Sequence, residues 1–568
     1  MAPSVLSTTL SLVGLQVASR LFSFGLNQAL LRSTTPQAFG LATIQLDTLA
    51  GTVLFLLREG IRGAVVRTRT STSPAEATLQ RQSLLLPTLL TPLAVGAFAL
   101  YHTYASPSPA PPQYGAVLAL YLLATVVELL SEPLYLRTLQ SWETLTTRRV
   151  RVEGAAVLAK AVGTLATVRA VSEADALLAF GVGQLVYSAT IWAGLAWVSA
   201  STGPWQHSTT IGLRRVDGRL FDPAVTTLGW ALTKQSVVKQ LLTEGDKLAV
   251  GKFGSATDMG GYAVALNYGS LLARIVFQPL EESSRLYFSS LSAAAAKAPD
   301  RGDAERADKE SSASPQYSTF EVAPTPDTLR AVASHLRLLL LFYSHLSLIF
   351  TCLAPSFTTP LLHLLLGSRW SRTSASPLLR AYALSLPFLA FNGLTEAFFQ
   401  SVAPPRWIAR GSAWLVACAG AFAASVWFLM RVRGWGAEGL VAANCVNLAM
   451  RTALSSVFVQ RYFAEAREAR KDSKEAEGTE ATLSPRSWVP RWPTVVAFGA
   501  AAWIVRRSEA RWQQEEATKG AGLRLTLEHL GVGAVVGVAC LAVIAFSHRS
   551  EIRERLAAKR RTAARKVQ

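Results

Sequence analysis

Apolar runs of about 18 residues or more, the length that spans the hydrocarbon core of a bilayer, recur along almost the whole chain. No other feature limits the fold as much. Within hydrocarbon every backbone N–H and C=O must be satisfied inside the segment or in a closed barrel, and runs this long and continuous read as helices. Charge usage agrees: Asp, Glu, Lys and Arg supply 16% of the 568 residues, where a soluble domain carries roughly a quarter. The expected fold is all-α, a polytopic membrane protein. About fourteen transmembrane helices would form two pseudo-repeated six-helix lobes plus two C-terminal helices.

The spans fall near 4–31, 38–57, 82–104, 114–138, 150–169, 176–199, 224–251, 258–288, 329–354, 374–401, 407–430, 437–462, 492–507 and 525–547. They divide the chain into an N-lobe (1–200), a linker (201–223), a C-lobe (224–463) with a polar insertion at 291–328, a polar loop (464–491), the last two helices (492–547) and a basic tail (548–568). The insertion and the polar loop are rich in Ala, Ser, Pro and charge; they cannot bury a core and are expected to be disordered. The first apolar stretch is interrupted by Gln16, Arg20 and Asn27 and lacks a basic n-region and an A-x-A site. It reads as a membrane helix, not a cleaved leader.

A formal net charge of +19 would suit a nucleic-acid binder, but in a membrane chain it reports topology first. Loops after even-numbered helices hold Arg62, Arg67 and Arg69, then Arg148, Arg149 and Arg151, then Arg214, Arg215 and Arg219, and the tail ends in KRRTAARK. The loop after helix thirteen, with Arg506, Arg507 and Arg511, breaks the pattern. Both termini and the long polar loops are therefore expected in the cytosol, with no nucleic-acid partner.

Catalytic and metal signals are weak. Cys352, Cys418, Cys445 and Cys540 lie in spans without paired spacing, and no HExxH occurs, so neither a disulfide framework nor a metal site is expected. There is no GxxxxGK[ST], and Gly434-x-Gly436-x-x-Gly439 matches a dinucleotide pattern without a preceding strand. An enzyme and a cofactor are not expected.

The polar residues inside the spans carry the functional signal. On helix seven Gln235, Lys239, Thr243 and Asp246 share one stripe; on helix eight Asn267, Ser270, Arg274 and Gln278 share another, extended by Glu281 and Arg285 if the helix passes Pro279. Helix one carries Gln16, Arg20, Ser23 and Asn27 on one face, and helix two Gln45, Thr48, Thr52, Glu59 and Arg62. Ionisable groups at membrane depth cost roughly 2.5–3.5 kcal/mol each even on the lenient insertion scale. Four such stripes therefore suggest a shared water-filled interior, the mark of a transport path. A faint repeat supports two halves: TTPQAFGLA at 34–42 resembles SATDMGGYA at 255–263, and LLREGIR closes helix two much as PLEESSR closes helix eight.

Other positions have two readings each. Glu128 and Glu132, one turn apart on helix four, either relay protons or bind a cation, or they pack and cap beside Pro133. Lys160 either faces the cavity or snorkels to the interface. Asn392 and Glu396 on helix ten, and Asn444 and Asn447 on helix twelve, suit interhelical hydrogen bonds, while Arg451 reaches toward the headgroups. Arg58, Glu59 and Arg62, and likewise Glu281, Glu282 and Arg285, either grip a phosphate or pair locally at a solvated helix end.

Several strings are more specific than any periodicity. KQLLTEGDK at 239–247, GSLLARIVFQPLEES at 269–283, VVELLSEP at 126–133, LLREGIR at 56–62, LLRAYAL with NGLTEAF within 378–398, and ANCVNLAMR at 443–451 resemble the eukaryotic endoplasmic-reticulum oligosaccharide translocation protein family. That family belongs to the multidrug/oligosaccharidyl-lipid/polysaccharide exporter superfamily. The resemblance is collinear over nearly the whole chain and poorest in the two polar insertions and the last two helices.

It implies a substrate, dolichyl-pyrophosphate carrying five mannoses and two N-acetylglucosamines, moved from the cytosolic to the lumenal leaflet for N-glycosylation. It also implies a cationic central cavity, with Arg20, Lys234, Lys239 and Arg274 as pyrophosphate partners and the amides Asn267 and Gln278 beside them. Arg58, Glu59 and Arg62 would form a cytosolic gate facing Glu281, Glu282 and Arg285, with Glu244 and Asp246 in the same charge cluster; the family's helix-five lysine falls on Lys160. Partners would be the glycolipid, membrane lipid and glycosylation-pathway proteins. Two alternatives stay open: an accessory factor of the same pathway that does not move the lipid, and a cation-coupled exporter of small molecules.

Overall fold

The structure is a computed structural model that describes residues 25–68, 73–107, 110–140, 142–201, 213–297, 325–371, 373–468, 488–519, 522–550 and 553. Nearly all of these are helical, and no strand occurs among the described residues. The helices are α1 (25–33), α2 (Pro36–Arg67), α3 (Thr91–Tyr104), α4 (Tyr114–Gln140), α5 (Trp142–Ala170), α6 (Ala176–Ser201) and α7 (Pro223–Phe253). Next comes α8, built from Ala256–Leu272, a π turn at Ala273–Phe277, and Gln278–Lys297. The remainder are α9 (Pro326–Cys352), α10 (Ala375–Val402), α11 (Pro405–Val432), α12 (Gly436–Glu468), α13 (Trp492–Lys519) and α14 (Leu523–Ser547).

Seven of the described helices, α2, α4, α6, α9, α11, α12 and α14, are long and apolar enough to cross a membrane. Fewer qualify than the fourteen expected: α5, α7 and α13 are long but carry more charge, as in the Lys239–Lys247 stretch of α7, α3 has only 14 residues, and most of the first apolar stretch lies outside the described residues. Helix three is broken: short helices Pro74–Ser83 and Leu86–Leu89 precede α3. Pro87 and Pro92 sit in first turns, where a missing N–H costs nothing but a preceding helix cannot run through. Helix eight does pass Pro279, the π turn just before it taking up the mismatch.

Arg506, Arg507 and Arg511, expected in a loop, lie inside α13, which runs twelve residues beyond the expected end at 507 to Lys519. Helical structure also continues to Lys297 and Glu468 at the start of the two polar insertions. Residues 298–324 and 469–487, Arg20, and most of the basic tail lie outside the described residues.

Local chemistry sets the helix starts. Thr35 Oγ1 accepts Ala38 N–H at 3.2 Å ahead of α2. Ser255 and Asp258 form a reciprocal box ahead of α8, with Ser255 Oγ accepting Asp258 N–H at 3.1 Å and Asp258 Oδ2 accepting Ser255 N–H at 3.2 Å. Both segments of the faint repeat thus open a helix behind a hydroxyl cap, at positions one residue apart in the repeat. The GxGxxG match is the turn joining α11 to α12, where Gly434 and Gly436 hold φ of 67° and 56°, values that favour glycine.

The chain divides into two compact units, Met1–Ala263 with Leu365–Arg369, and Val264–Leu364 with Trp370–Gln568. In the first, α5 and α6 pack through Val152, Ala156, Ile191, Leu195 and Val198. Helix α7, counted with the second lobe by the repeat pattern, lies along α2 within this unit. Gly60 permits the approach: a Cβ there would fall 2.6 Å from Gly229 O. In the second unit, α10 is the hub, its Phe398 surrounded by Phe288, Phe458, Tyr462 and Phe463. There α13 and α14 close on α9 through Leu353, Phe498, Ala501, Val505 and Cys540.

Candidate functional site

In the first unit, polar side chains from four helices join into one ladder. Arg58 Nη1 on α2 donates to Glu128 Oε2 on α4 at 3.2 Å and lies 4.0 Å from Glu132 Oε2. One turn on, Arg62 takes Glu132 in a two-pronged grip, Nε to Oε1 and Nη2 to Oε2, the latter at 2.8 Å. Its guanidinium also lies 3.8 Å over the Tyr135 ring, with Arg149 5.2 Å from the same centroid. Both ion pairs join residues 70 apart in sequence. An equal offset at successive turns requires parallel helices, so α2 and α4 run in the same direction.

The ladder continues from the second carboxylate oxygen of Glu128, which accepts Gln184 Nε2 and Ser188 Oγ of α6 at 3.1 Å each. Gln184 Oε1 accepts from Lys160 Nζ at 2.6 Å, and Lys160 reaches Asp47 Oδ1 at 3.3 Å, where Tyr121 OH also donates at 3.0 Å. Three carboxylates, Asp47, Glu128 and Glu132, therefore balance three cations, Arg58, Arg62 and Lys160. Glu128 and Glu132 are buried, and pairing is what keeps such charges tolerable in a low dielectric. Of the expected site residues, the ladder unites Arg58, Arg62, Glu128, Glu132 and Lys160; Glu59 is half-buried on the same α2 segment. Four members, Asp47, Tyr121, Gln184 and Ser188, carry no signal in the sequence alone.

Beside the ladder, α2 and α7 enclose a polar pocket of about 200 Å³ lined by Thr43, Asp47, Thr48, Gly51, Thr52, Phe55, Gln240, Glu244 and Lys247. Lys247 Nζ pairs with Glu244 Oε2 at 2.7 Å, and Gln240 Nε2 donates to Thr52 Oγ1 at 2.8 Å. Asp246 accepts Tyr262 OH at 2.7 Å and the Lys247 backbone N–H at 2.8 Å. Lys234 is exposed, its ammonium 5.8 Å from the Trp230 ring centroid. The side chains of Gln235, Lys239 and Arg274 lie outside the described residues, as does Arg20 entirely.

In the second unit a smaller cluster centres on Glu396 of α10. Its Oε2 accepts Arg451 Nη2 of α12 at 2.5 Å and Asn392 Nδ2 at 3.1 Å, and its Oε1 accepts Gln400 Nε2 at 3.0 Å. Glu281 is half-buried against Gly393, while Gln278, Glu282, Arg285 and Asn444 are exposed and Asn267 and Asn447 half-buried. An apolar cavity of about 560 Å³ opens near the cluster, walled by Leu336, Leu340, Phe388, Phe391, Val459 and Trp488 among others. No group of three metal-binding side chains occurs among the described residues.

Comparison with known proteins gives consistent results. The family model described as Rft protein matches residues 4–557. The "Man(5)GlcNAc(2)-PP-dolichol translocation protein RFT1" of Yarrowia lipolytica is 30% identical over 505 residues, covering 80% of this chain and 69% of that one. The protein of the same name from Eremothecium gossypii is 30% identical over 497 residues, covering 82% and 84%. That from Saccharomyces cerevisiae is 28% identical over 499 residues, covering 79% and 81%. In fold, the chain is similar to "Lipid II flippase MurJ, inward closed conformation", with a TM-score of 0.59 at 12% identity over 95% of this chain and 99% of the other.

Proposed function

This chain belongs to the Rft protein family, and on that premise we propose that it carries a dolichyl-pyrophosphate-linked oligosaccharide from the cytosolic to the lumenal leaflet of the endoplasmic-reticulum membrane. The observation that carries the reading is similarity over about four-fifths of the chain to proteins named for translocating Man(5)GlcNAc(2)-PP-dolichol. Arg62 and Arg67, expected in a loop, lie in the last turns of α2, and Arg148, Arg149 and Arg151 in the first turns of α5; with Arg214, Arg215 and Arg219 between α6 and α7 they still cluster at the ends of even-numbered helices, which supports cytosolic termini.

The physical task is to bring a doubly charged pyrophosphate and a sugar chain past hydrocarbon while the dolichol tail stays in lipid. Each charge at the bilayer centre costs roughly 2.5–3.5 kcal/mol on the lenient scale, more without water. Cations and amides must replace that water, and no covalent bond need form or break. The ladder of the first unit supports such an interior, since six ionisable side chains meet there between α2, α4, α5 and α6. It is charge-balanced, however, and has no net charge to offer an anion. The pyrophosphate partners would be other cations: Arg20, Lys234, Lys239 and Arg274, with Asn267 and Gln278 contributing amides. Lys234 is exposed, which leaves its ammonium accessible to a ligand.

The test is transfer in vesicles. Purified protein is reconstituted with the five-mannose glycolipid in one leaflet, and its appearance in the other is timed. Acceleration over protein-free vesicles is expected, and Lys239→Glu or Arg274→Glu should slow it about tenfold or more, the scale of one lost charged hydrogen bond, at unchanged membrane abundance. Absence of acceleration by the native chain would overturn the reading and leave an accessory role in its place.

A further inference from the structure

The pocket between α2 and α7 has a composition that the ladder does not explain. Two carboxylates face it, Asp47 and Glu244, but each already has its ammonium, Lys160 at 3.3 Å and Lys247 at 2.7 Å. With both pairs made, the pocket is neutral. An anion would meet two carboxylates with no surplus cation, and a bare cation would find both acids already spent on lysines. What the walls do offer is hydrogen bonding: carboxylate acceptors, the Gln240 amide, three threonine hydroxyls, and one aromatic face, Phe55.

Two wall groups lack a hydrogen-bond partner among the described residues, Thr48 Oγ1 and Glu244 Oε2, the second held by the Lys247 ammonium through charge alone. Thr48 is only 5% exposed. A buried hydroxyl left unsatisfied is costly, and a ligand or ordered water relieves it. The floor is open as well, since a Cβ on Gly51 would meet nothing within 4 Å. The volume, about 200 Å³, equals roughly six or seven waters at ~30 Å³ each. That is room for a single hexose ring.

We propose that this pocket takes one mannose ring of the carried head group, its hydroxyls bonded by Asp47, Thr48, Thr52, Gln240 and Glu244 and its apolar face against Phe55. Sugar hydroxyls both donate and accept, so they can serve carboxylate, amide and hydroxyl together without disturbing either ion pair. The assignment rests on the glycolipid reading above and gives it a specificity element: the pocket reads the sugar, and the pyrophosphate is held elsewhere.

The experiment compares two lipids on the full-length protein in nanodiscs: Man5GlcNAc2-PP-dolichol and mannose-free GlcNAc2-PP-dolichol. The native chain should bind the first about tenfold more tightly, the net yield of one or two hydrogen bonds. Gly51→Leu, which fills the pocket from an open position and replaces a helix glycine with a better helix former, should bring that ratio to about one. Thr48→Val, which deletes only the hydroxyl, should lower it several-fold and serves if Gly51→Leu does not fold. Equal affinities in the native chain, or a ratio that survives both variants, would overturn the sugar pocket while the flippase reading stands. Loss of affinity for both lipids in Gly51→Leu would also overturn it, because the pocket would then hold something common to both. A native chain that binds neither lipid would sink both readings.

Discussion

Glu132→Ala is expected to destabilise the protein by about 3–5 kcal/mol, the range for removing one partner of a buried ion pair. The carboxylate has a side-chain exposure of 1% and answers two guanidiniums, Arg62 directly and Arg58 at 4.0 Å. Its loss leaves Arg62 with the Tyr135 ring and the weaker pull of Glu59, and a desolvated cation–π contact returns only ~2 kcal/mol. Arg58→Ala should cost less. The acid it leaves, Glu128, still accepts from Gln184 and Ser188, and Arg58 itself is a quarter exposed. The double variant Arg62→Met/Glu132→Leu should recover much of the loss, since no unpaired charge remains. Thermal unfolding of the purified variants in one detergent reads all three. A loss below about 1 kcal/mol for Glu132→Ala, the range of exposed ion pairs, would mean that water reaches this site and that the ladder is not held in hydrocarbon-like surroundings.

The helices were legible because hydrocarbon demands long apolar runs, and the run positions need no knowledge of partners. What failed locally failed for local reasons. The apolar run of helix thirteen ends at Arg506 and Arg507, but nothing in those residues stops a helix, and arginine is a good helix former. Helix three reads as one span in hydropathy, which two prolines inside an apolar run do not alter.

The ladder was half legible. Arg58 with Arg62 and Glu128 with Glu132 each show as a one-turn repeat, but a stripe on a single helix pairs its cations only with neighbours in sequence. Opposite charges with the same four-residue step, on two helices that cross in the same direction, were the available signal. Asp47 and Gln184 had none, because a lone polar residue acquires meaning only from Lys160, 113 and 24 residues away respectively.

The contact between the two faintly repeated segments should be as sensitive as the ladder, for a steric reason. At the start of α2 and of α8, Gly40 and Gly260 meet backbone to backbone. A Cβ on Gly260 would lie 2.1 Å from Pro36 O, and one on Gly40 2.3 Å from Gly260 N. No rotamer change relieves either clash, so the helix ends must part by about an ångström and surrender their packing; overpacking of this kind costs typically 1–3 kcal/mol and occasionally more. Gly260→Ala is therefore expected to lose about 3 kcal/mol and to slow glycolipid transfer, because α2 carries both the ladder and one wall of the polar pocket.

Gly393→Ala is the control. A Cβ there comes still closer to another atom, 1.7 Å, but that atom is Glu281 Oε1 at the end of a flexible side chain. The carboxylate can swing away, and the expected loss is under about 1 kcal/mol, comparable to an ordinary surface change. Distance alone ranks the two variants one way and the freedom of the struck atom ranks them the other. Side-by-side unfolding in one detergent decides between them: if Gly393→Ala proves the more damaging, the α2–α8 crossing is not a fixed point of the first unit.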